Sequence, residues 1–178
     1  AGILVSFGYK NEVILLIPLQ TPSRIAPGTE ITLSAFAEWL ECKDICLPHG
    51  LSVSAVLDAG VTRPDPVIAA ALADLPLTGD EAGIGRMSCA IEPRPYGLDL
   101  RTEILLPEPG GTVETMVETA DPTLWVTRPD TRWEGARLVT EVELHPSDGL
   151  AVLDRSGVRM TVLRPGHMAL DLQGCTSG

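Results

Sequence analysis

The sequence is short of aromatic residues, of basic residues and of long apolar runs, and each shortage excludes a class of protein. Aromatic residues make up 4% of the 178 residues, so any core is mainly aliphatic. The longest apolar run, residues 13–19, is interrupted by Pro18 and falls short of the roughly 18 residues that a membrane-spanning helix needs. With 13 basic against 24 acidic residues, the chain does not look like a protein that binds nucleic acid or anionic lipid.

Cysteine is also scarce. Four cysteines in 178 residues are too few for a small secreted domain held together mainly by disulfides. Their spacing is more informative than their number, because Cys42 and Cys46 are four residues apart whereas Cys89 and Cys175 are far apart. We therefore expect different roles for the two pairs.

Proline and glycine separate many short apolar segments, which is typical of all-β structure with frequent turns. Residues 30–40 alternate between apolar and polar side chains, as in a half-buried strand, and residues 51–57 do the same. Residues 13–19 are apolar on both faces, as in a central strand. These three strands predict one β unit, with Cys42 and Cys46 in the connection between the last two.

One short helix is predicted between the β regions. Asp65 is a favourable N-cap, and Pro66 suits the first helical position. A segment rich in alanine and leucine follows over residues 67–75, and Pro76 ends it. We therefore interpret residues 58–85 as a linker that carries a short helix.

A second β-sandwich domain is predicted over residues 86–178, because short strands and turns follow one another there. Acidic residues alternate with apolar ones on these strands, which indicates a solvated sheet face and not a catalytic carboxylate pair. The candidate strands are residues 86–91, 97–105, 123–127, 136–144, 158–163 and 168–172.

The chemistry is expected at the segment WLECKDICLP, which contains Cys42 and Cys46. Two cysteines at this spacing form a disulfide if the chain turns between them, since a disulfide needs Cα atoms about 4.4–6.8 Å apart. A disulfide that closes such a short loop adds little to the stability of the fold, and it is more suited to being accessible and reducible. The neighbouring Lys43 would stabilise a thiolate, whereas Glu41 and Asp44 would oppose it.

The residues alone leave other interpretations of this segment open. A local structural disulfide, two buried thiols or a Cu(I) site on two thiolates would have the same spacing. His49 is a candidate for tuning a thiolate or joining a copper site, although an exposed loop histidine is the simpler interpretation.

For Cys89 and Cys175 we expect a structural disulfide from the first strand of the second domain to its last, with free thiols or a second exchange pair as alternatives. No cofactor and no metal site of ordinary ligand spacing are predicted.

The sequence segments around the cysteines add a family resemblance. WLECKDICLP, followed by LSVSAVL and preceded by SFGYKNEVILLIPL, resembles the N-terminal periplasmic domain of the DsbD family of thiol:disulfide interchange proteins. It looks closest to the suppressor of copper sensitivity (ScsB) members, and it extends over residues 4–57. The resemblance implies immunoglobulin-like β-sandwich units, with residues 1–57 the C-terminal part of an incomplete redox domain. It also implies that Cys42 and Cys46 are the catalytic pair, that Cys46 joins partners, and that Phe7 and Tyr9 form a shielding cap.

The resemblance further implies a thiol:disulfide oxidoreductase that relays electrons to periplasmic substrates, with a link to copper tolerance. The expected partners are periplasmic thioredoxin-like or disulfide-isomerase-like proteins and a membrane-embedded reductase portion of the same parent protein, with no nucleic acid. The expected location is the periplasm, as the soluble part of an inner-membrane protein. A Cu(I)-binding module that uses the same thiols and a structural adaptor domain are the alternatives.

Overall fold

The computed structural model describes residues 7–59, 64–106 and 110–177 of an all-β chain with one short helix. The chain divides into two compact units. One unit, Ile14–Ala70, contains a long β-hairpin, and the other contains a complete β-sandwich. The fold class is therefore the expected one: immunoglobulin-like β-sandwich architecture in which the first unit is incomplete.

The hairpin consists of strands β1 (Glu30–Cys42) and β2 (Cys46–Asp58), which pair antiparallel over their whole length. The register runs from Glu30 opposite Asp58 at the open end to Cys42 opposite Cys46 at the turn. At about 3.3 Å per residue, thirteen residues make each strand roughly 40 Å long. Both strands predicted from alternation are confirmed, and each extends to a cysteine.

The predicted strand over residues 13–19 is wrong, because that segment forms no strand in the structure. A strand needs a partner, and this segment pairs with neither β1 nor β2, which pair only with each other. Pro18 also lacks the N–H that a ladder requires. The apolar side chains of the segment are exposed instead, Leu15 by 66% and Ile17 by 73%. The first unit is thus a two-stranded hairpin and not the expected three-stranded one.

The predicted helix is confirmed as α1 (Pro66–Ala73). The Asp65 carboxylate caps it, with Oδ1 accepting hydrogen bonds from the backbone N–H groups of Val67 at 2.8 Å and Ile68 at 3.3 Å. The helix ends at Ala73, two residues before the predicted end. Within the described parts of the chain, no helix is long and apolar enough to cross a bilayer. Residues 60–63 of the predicted linker lie outside the described residues.

The sandwich begins within the predicted linker, because Leu77–Thr78 forms strand β3 and pairs with a later strand. The remaining strands are β4 (Ser88–Arg94), β5 (Gly97–Leu105), β6 (Glu114–Glu118), β7 (Leu124–Val126), β8 (Asp130–Glu134), β9 (Arg137–Pro146), β10 (Arg159–Leu163), β11 (Leu170–Gln173) and β12 (Thr176–Ser177). One sheet has the order β3-β11-β10-β6, and the other has the order β12-β4-β5-β9-β7, with β8 also paired to β9. All six predicted strands of this region are present, with ends shifted by a few residues.

The core of the sandwich is aliphatic, as the shortage of aromatic residues requires. Both sheets contribute side chains that are fully buried, including Leu100, Leu138, Leu144, Met160, Val162 and Leu170. Cys89 belongs to this core at 1% exposure, and it forms a disulfide with Cys175 across a Cα–Cα distance of 5.6 Å. The bond ties β4 to the segment just before β12.

An ion-pair network covers part of the exposed face of the larger sheet. Glu141 accepts hydrogen bonds from Arg101 at 2.7 Å and from Arg132 at 2.9 Å, and these contacts lower the pKa of Glu141 to about 2. The other carboxylates of the predicted solvated face are also paired, Asp99 with Arg94, Glu103 with Arg101 and Arg137, and Glu143 with His145. The network is solvent-exposed, so its pairs organise the surface and contribute modestly to stability.

Candidate active site

Cys42 and Cys46 form a disulfide at the turn of the hairpin. They are directly opposite each other in the register, and their Cα atoms are 4.1 Å apart. Opposed residues of an antiparallel pair lie about 4.5–5.5 Å apart, which is within the reach of a disulfide. The loop between them is residues 43–45, in which the Lys43 N–H donates to the Ile45 carbonyl at 3.2 Å. The pairing of the strands therefore brings the two sulfurs together.

The disulfide is open to solvent. Cys42 and Cys46 are both exposed, as is every residue of the loop between them. The apolar side chains beside them are exposed too, Ile45 by 71% and Leu47 by 51%. In contrast, Cys89 of the second disulfide is 1% exposed. Because Cys175 is only partly exposed, a reductant in solution can reach the hairpin disulfide much more easily than the other one.

The face of the hairpin that carries the disulfide continues as a strip that is apolar except for Glu38. Because side chains alternate along a strand, Leu40 and Pro48 follow on this face, and Glu38 and Gly50 come next. The ring of Phe36 lies over Gly50, where an added Cβ would come within 2.9 Å of the ring. Leu40 and Phe36 are 65% and 63% exposed, so the disulfide lies at the end of an exposed apolar surface.

The opposite face carries a polar and aromatic cluster that sequence reasoning missed. Trp39 and His49 are opposite each other, with stacked rings whose centroids are 5.5 Å apart. His49 Nε2 also lies 3.3 Å from the Glu41 carboxylate. The sequence carried a signal for this cluster, because Trp39 stands three residues before Cys42 and His49 stands three residues after Cys46. Equal offsets from a paired cysteine bridge place two residues opposite each other in a hairpin.

The remaining candidates for tuning or shielding the thiols lie in different places. Lys43 is in the loop beside the disulfide, whereas His49 is on the opposite face with Glu41 as its partner. Phe7 and Tyr9 are 52% and 74% exposed, and they group with the sandwich unit and not with the hairpin unit. The tuning and capping roles of these residues therefore stay predictions. Residues 4–6 of the resemblance lie outside the described residues.

Comparisons with known proteins add one structural likeness. No protein-family model matches the chain, and no curated protein matches it. The fold is similar to that of the N-terminal periplasmic domain of ScsB from Proteus mirabilis, with a TM-score of 0.55 and 17% sequence identity. The match covers 77% of this chain and 54% of that one, so the chain spans about half the length of the ScsB domain. This likeness confirms the fold that the resemblance implied, and at this identity it shows the fold alone.

Proposed function

We propose that this chain is a periplasmic thiol:disulfide oxidoreductase module in which Cys42 and Cys46 form the redox pair. The observation that carries the proposal is an exposed disulfide that closes a loop of only three residues. In the chain-entropy model, a bridge with a sequence separation of 4 stabilises the folded state by about 2 kcal/mol, and one with a separation of 86 by about 4.6 kcal/mol. The hairpin bridge is thus the weaker staple and the more accessible one.

The reaction is an exchange of disulfides. A thiolate of the reduced pair attacks a partner disulfide, so that the partner S–S bond breaks, a mixed disulfide forms and one partner thiolate leaves to take a proton. The second cysteine of the pair then loses its proton and attacks the mixed disulfide. This restores the Cys42–Cys46 bond, releases the second partner thiol and transfers two electrons to the partner. By the family resemblance, Cys46 is the cysteine that joins the partner.

The place of this reaction in an electron relay rests on the resemblance. We propose that a membrane-embedded reductase portion of the parent protein reduces the pair, which then reduces periplasmic thioredoxin-like or disulfide-isomerase-like proteins. The fold likeness to a periplasmic domain supports the proposed compartment. The link to copper tolerance is likewise proposed on the resemblance to ScsB.

A trapping experiment tests the exchange. We expect the reduced Cys42→Ser chain to form a mixed disulfide through Cys46 with an oxidised thioredoxin-like protein, because this chain has no second thiol to complete the exchange. The adduct should last once rapid alkylation blocks the partner's freed thiol, which would otherwise reverse the reaction. The wild-type chain should reduce the same protein without accumulating the adduct. Cys46→Ser is the matched control and should form less adduct. Non-reducing electrophoresis and mass spectrometry measure each product.

The trapping experiment also separates the alternative functions. A structural adaptor would give no adduct and no reduction of the partner by any variant. A copper module would instead take up Cu(I) stoichiometrically in the reduced form, as soft thiolates do, and would lose it in Cys42→Ser. Either result without exchange would overturn the proposed function.

The predicted cap has its own test. If Tyr9 shields the reduced pair, Tyr9→Ala should raise the rate at which dissolved oxygen or peroxide oxidises the Cys42–Cys46 dithiol severalfold, because access controls thiol oxidation. Tyr96→Ala is the matched control, since Tyr96 is 86% exposed on the sandwich and has no predicted role. Thiol alkylation followed over time measures the rate. An unchanged rate in Tyr9→Ala would show that Tyr9 is not a cap.

A further inference from the structure

The charged residues around the hairpin disulfide are mostly acidic. Glu41 directly precedes Cys42, Asp44 lies in the loop, and Glu38 lies on the face that carries the disulfide. Lys43 is the one basic residue among them. Three carboxylates and one ammonium group give a local charge of −2. The Glu41 side chain is 75% exposed, and its field therefore extends into solvent.

These charges lie near a reactive group and are close enough to act on a partner that approaches it. Neighbouring Cα atoms are about 3.8 Å apart, so Glu41 and Asp44 lie well within the screening length of about 10 Å at 0.1 M salt. Opposite charge on a partner accelerates encounter, and like charge slows it. Beside the charges, Ile45 exposes 71% of its surface and offers an apolar contact.

We infer that the hairpin end selects partners whose cysteine pair is bordered by basic residues and a small apolar surface, with Glu41 and Asp44 as the specificity-determining residues. This inference rests on the proposed exchange function of Cys42 and Cys46, and it names the chemistry of the partner that this function takes. The positive charge of Lys43 reduces the local negative charge and so weakens the preference for basic partners. The stacked Trp39 and His49 lie on the face opposite the disulfide, and the Glu41 carboxylate is 3.3 Å from His49 Nε2 there, so Glu41 acts on a partner through its field.

Three small disulfides of different charge serve as probes of this selection. Cystamine carries two ammonium groups, hydroxyethyl disulfide is neutral, and oxidised glutathione is anionic. In each case a thiolate of the reduced pair breaks the probe S–S bond and forms a mixed disulfide. The second thiolate then expels the other half of the probe, so that the protein loses two electrons and two thiol products gain one proton each. The measurement uses the full chain with Cys42–Cys46 reduced and Cys89–Cys175 intact, as verified by mass spectrometry.

The decisive comparison is between two variants of equal net charge. Glu41→Gln/Asp44→Asn removes two carboxylates beside the disulfide. Glu30→Gln/Asp58→Asn removes two at the open end of the same hairpin, about 40 Å away along the strands. Loss of nearby carboxylates also changes how readily the thiols ionise, but that effect alters the rates of all three probes by the same factor. The ratio of the cystamine rate to the neutral-probe rate therefore isolates the charge selection.

At low salt we expect the first variant to lower this ratio about threefold to fivefold and to raise the corresponding glutathione ratio. The control variant should leave both ratios within about 1.5-fold of wild type, since its charges lie beyond the screening length. Lys43→Gln should shift the ratios in the opposite direction, and high salt should abolish the differences. The pH should be the same for every variant and every probe.

Each outcome separates the inference from the function on which it rests. If the neutral probe fails to oxidise the pair, the proposed exchange function fails. If the neutral probe reacts but the ratios do not change in Glu41→Gln/Asp44→Asn, exchange stands and the charge selection is overturned. An equal change in the two double variants would assign the preference to net charge and would also overturn it.

Discussion

Mild dithiothreitol should reduce the Cys42–Cys46 disulfide at least about 100-fold faster than the Cys89–Cys175 disulfide. The first bridge is exposed on a hairpin, whereas Cys89 is 1% exposed within the sandwich core. The second bridge has Cys89 in the core and Cys175 only partly exposed, so most attack on it needs the sandwich to open locally, and an opening that costs about 3 kcal/mol leaves about one molecule in 100 reactive. Alkylation at timed intervals, followed by mass spectrometry of the cysteine peptides, measures both rates in one sample.

Denaturant supplies the control for this prediction. In an unfolded chain both bridges are open to the reagent, and their rates should come within about tenfold of each other, since burial no longer separates them. If the native chain already shows similar rates, the contrast in exposure has no chemical consequence and the assignment of separate roles is contradicted.

Removal of the buried disulfide should produce the largest loss of stability. We expect Cys89→Ala/Cys175→Ala to lower the free energy of unfolding of the sandwich by about 3–5 kcal/mol, because the bridge closes a long loop and Cys89 fills space in the core. Its sequence separation is 86 residues. The matched variant Cys42→Ser/Cys46→Ser removes the other bridge, which lies in the hairpin unit, and should change the sandwich by less than about 0.5 kcal/mol.

Urea denaturation followed by tryptophan fluorescence measures this difference. Trp125 and Trp133 report on the sandwich, whereas Trp39 reports on the hairpin, so the experiment is clearest in a Trp39→Phe background. A larger loss of sandwich stability in the Cys42→Ser/Cys46→Ser variant than in the Cys89→Ala/Cys175→Ala variant would contradict the division into a reactive and a structural disulfide.

The sequence predicted the hairpin and its cysteine bridge because two signals agreed. Alternation of apolar and polar residues defined β1 and β2, and the four-residue spacing of Cys42 and Cys46 fits two residues that face each other across a short loop. The register could not be read directly, since it depends on the loop. With the register known, the stacking of Trp39 on His49 follows from their equal distance from the bridge.

Four sandwich strands escaped sequence analysis: β3 and β12 are only two residues long, and β6 and β8 each have a threonine at an inward position. In β6 and β8, Thr115 and Thr131 point toward β9, where the Thr115 hydroxyl lies 2.6 Å from that of Thr131 and 3.4 Å from that of Thr140. The hydroxyls satisfy one another, so these polar residues are tolerated where an apolar one is expected. Hydrophobic alternation is then too weak to reveal the strand.

The wrongly predicted strand over residues 13–19 has the opposite cause, because its hydrophobic pattern is strong but the segment does not pair. Their composition is typical of a buried strand, but composition does not supply a pairing partner, and Pro18 removes one donor from any ladder. A local pattern reports how a segment would behave once paired. Whether an edge is available to pair with depends on the tertiary arrangement, which the sequence pattern does not contain.

The most direct test of the central claim is an equilibrium redox titration of the Cys42–Cys46 pair in dithiothreitol or glutathione buffers, read by thiol trapping and mass spectrometry. The exchange function predicts a reversible two-electron transition near or above about −270 mV, the range of exchange proteins, while the Cys89–Cys175 bridge stays intact. A Cys42–Cys46 pair that remains oxidised below about −300 mV would behave as a structural disulfide and would contradict the claim.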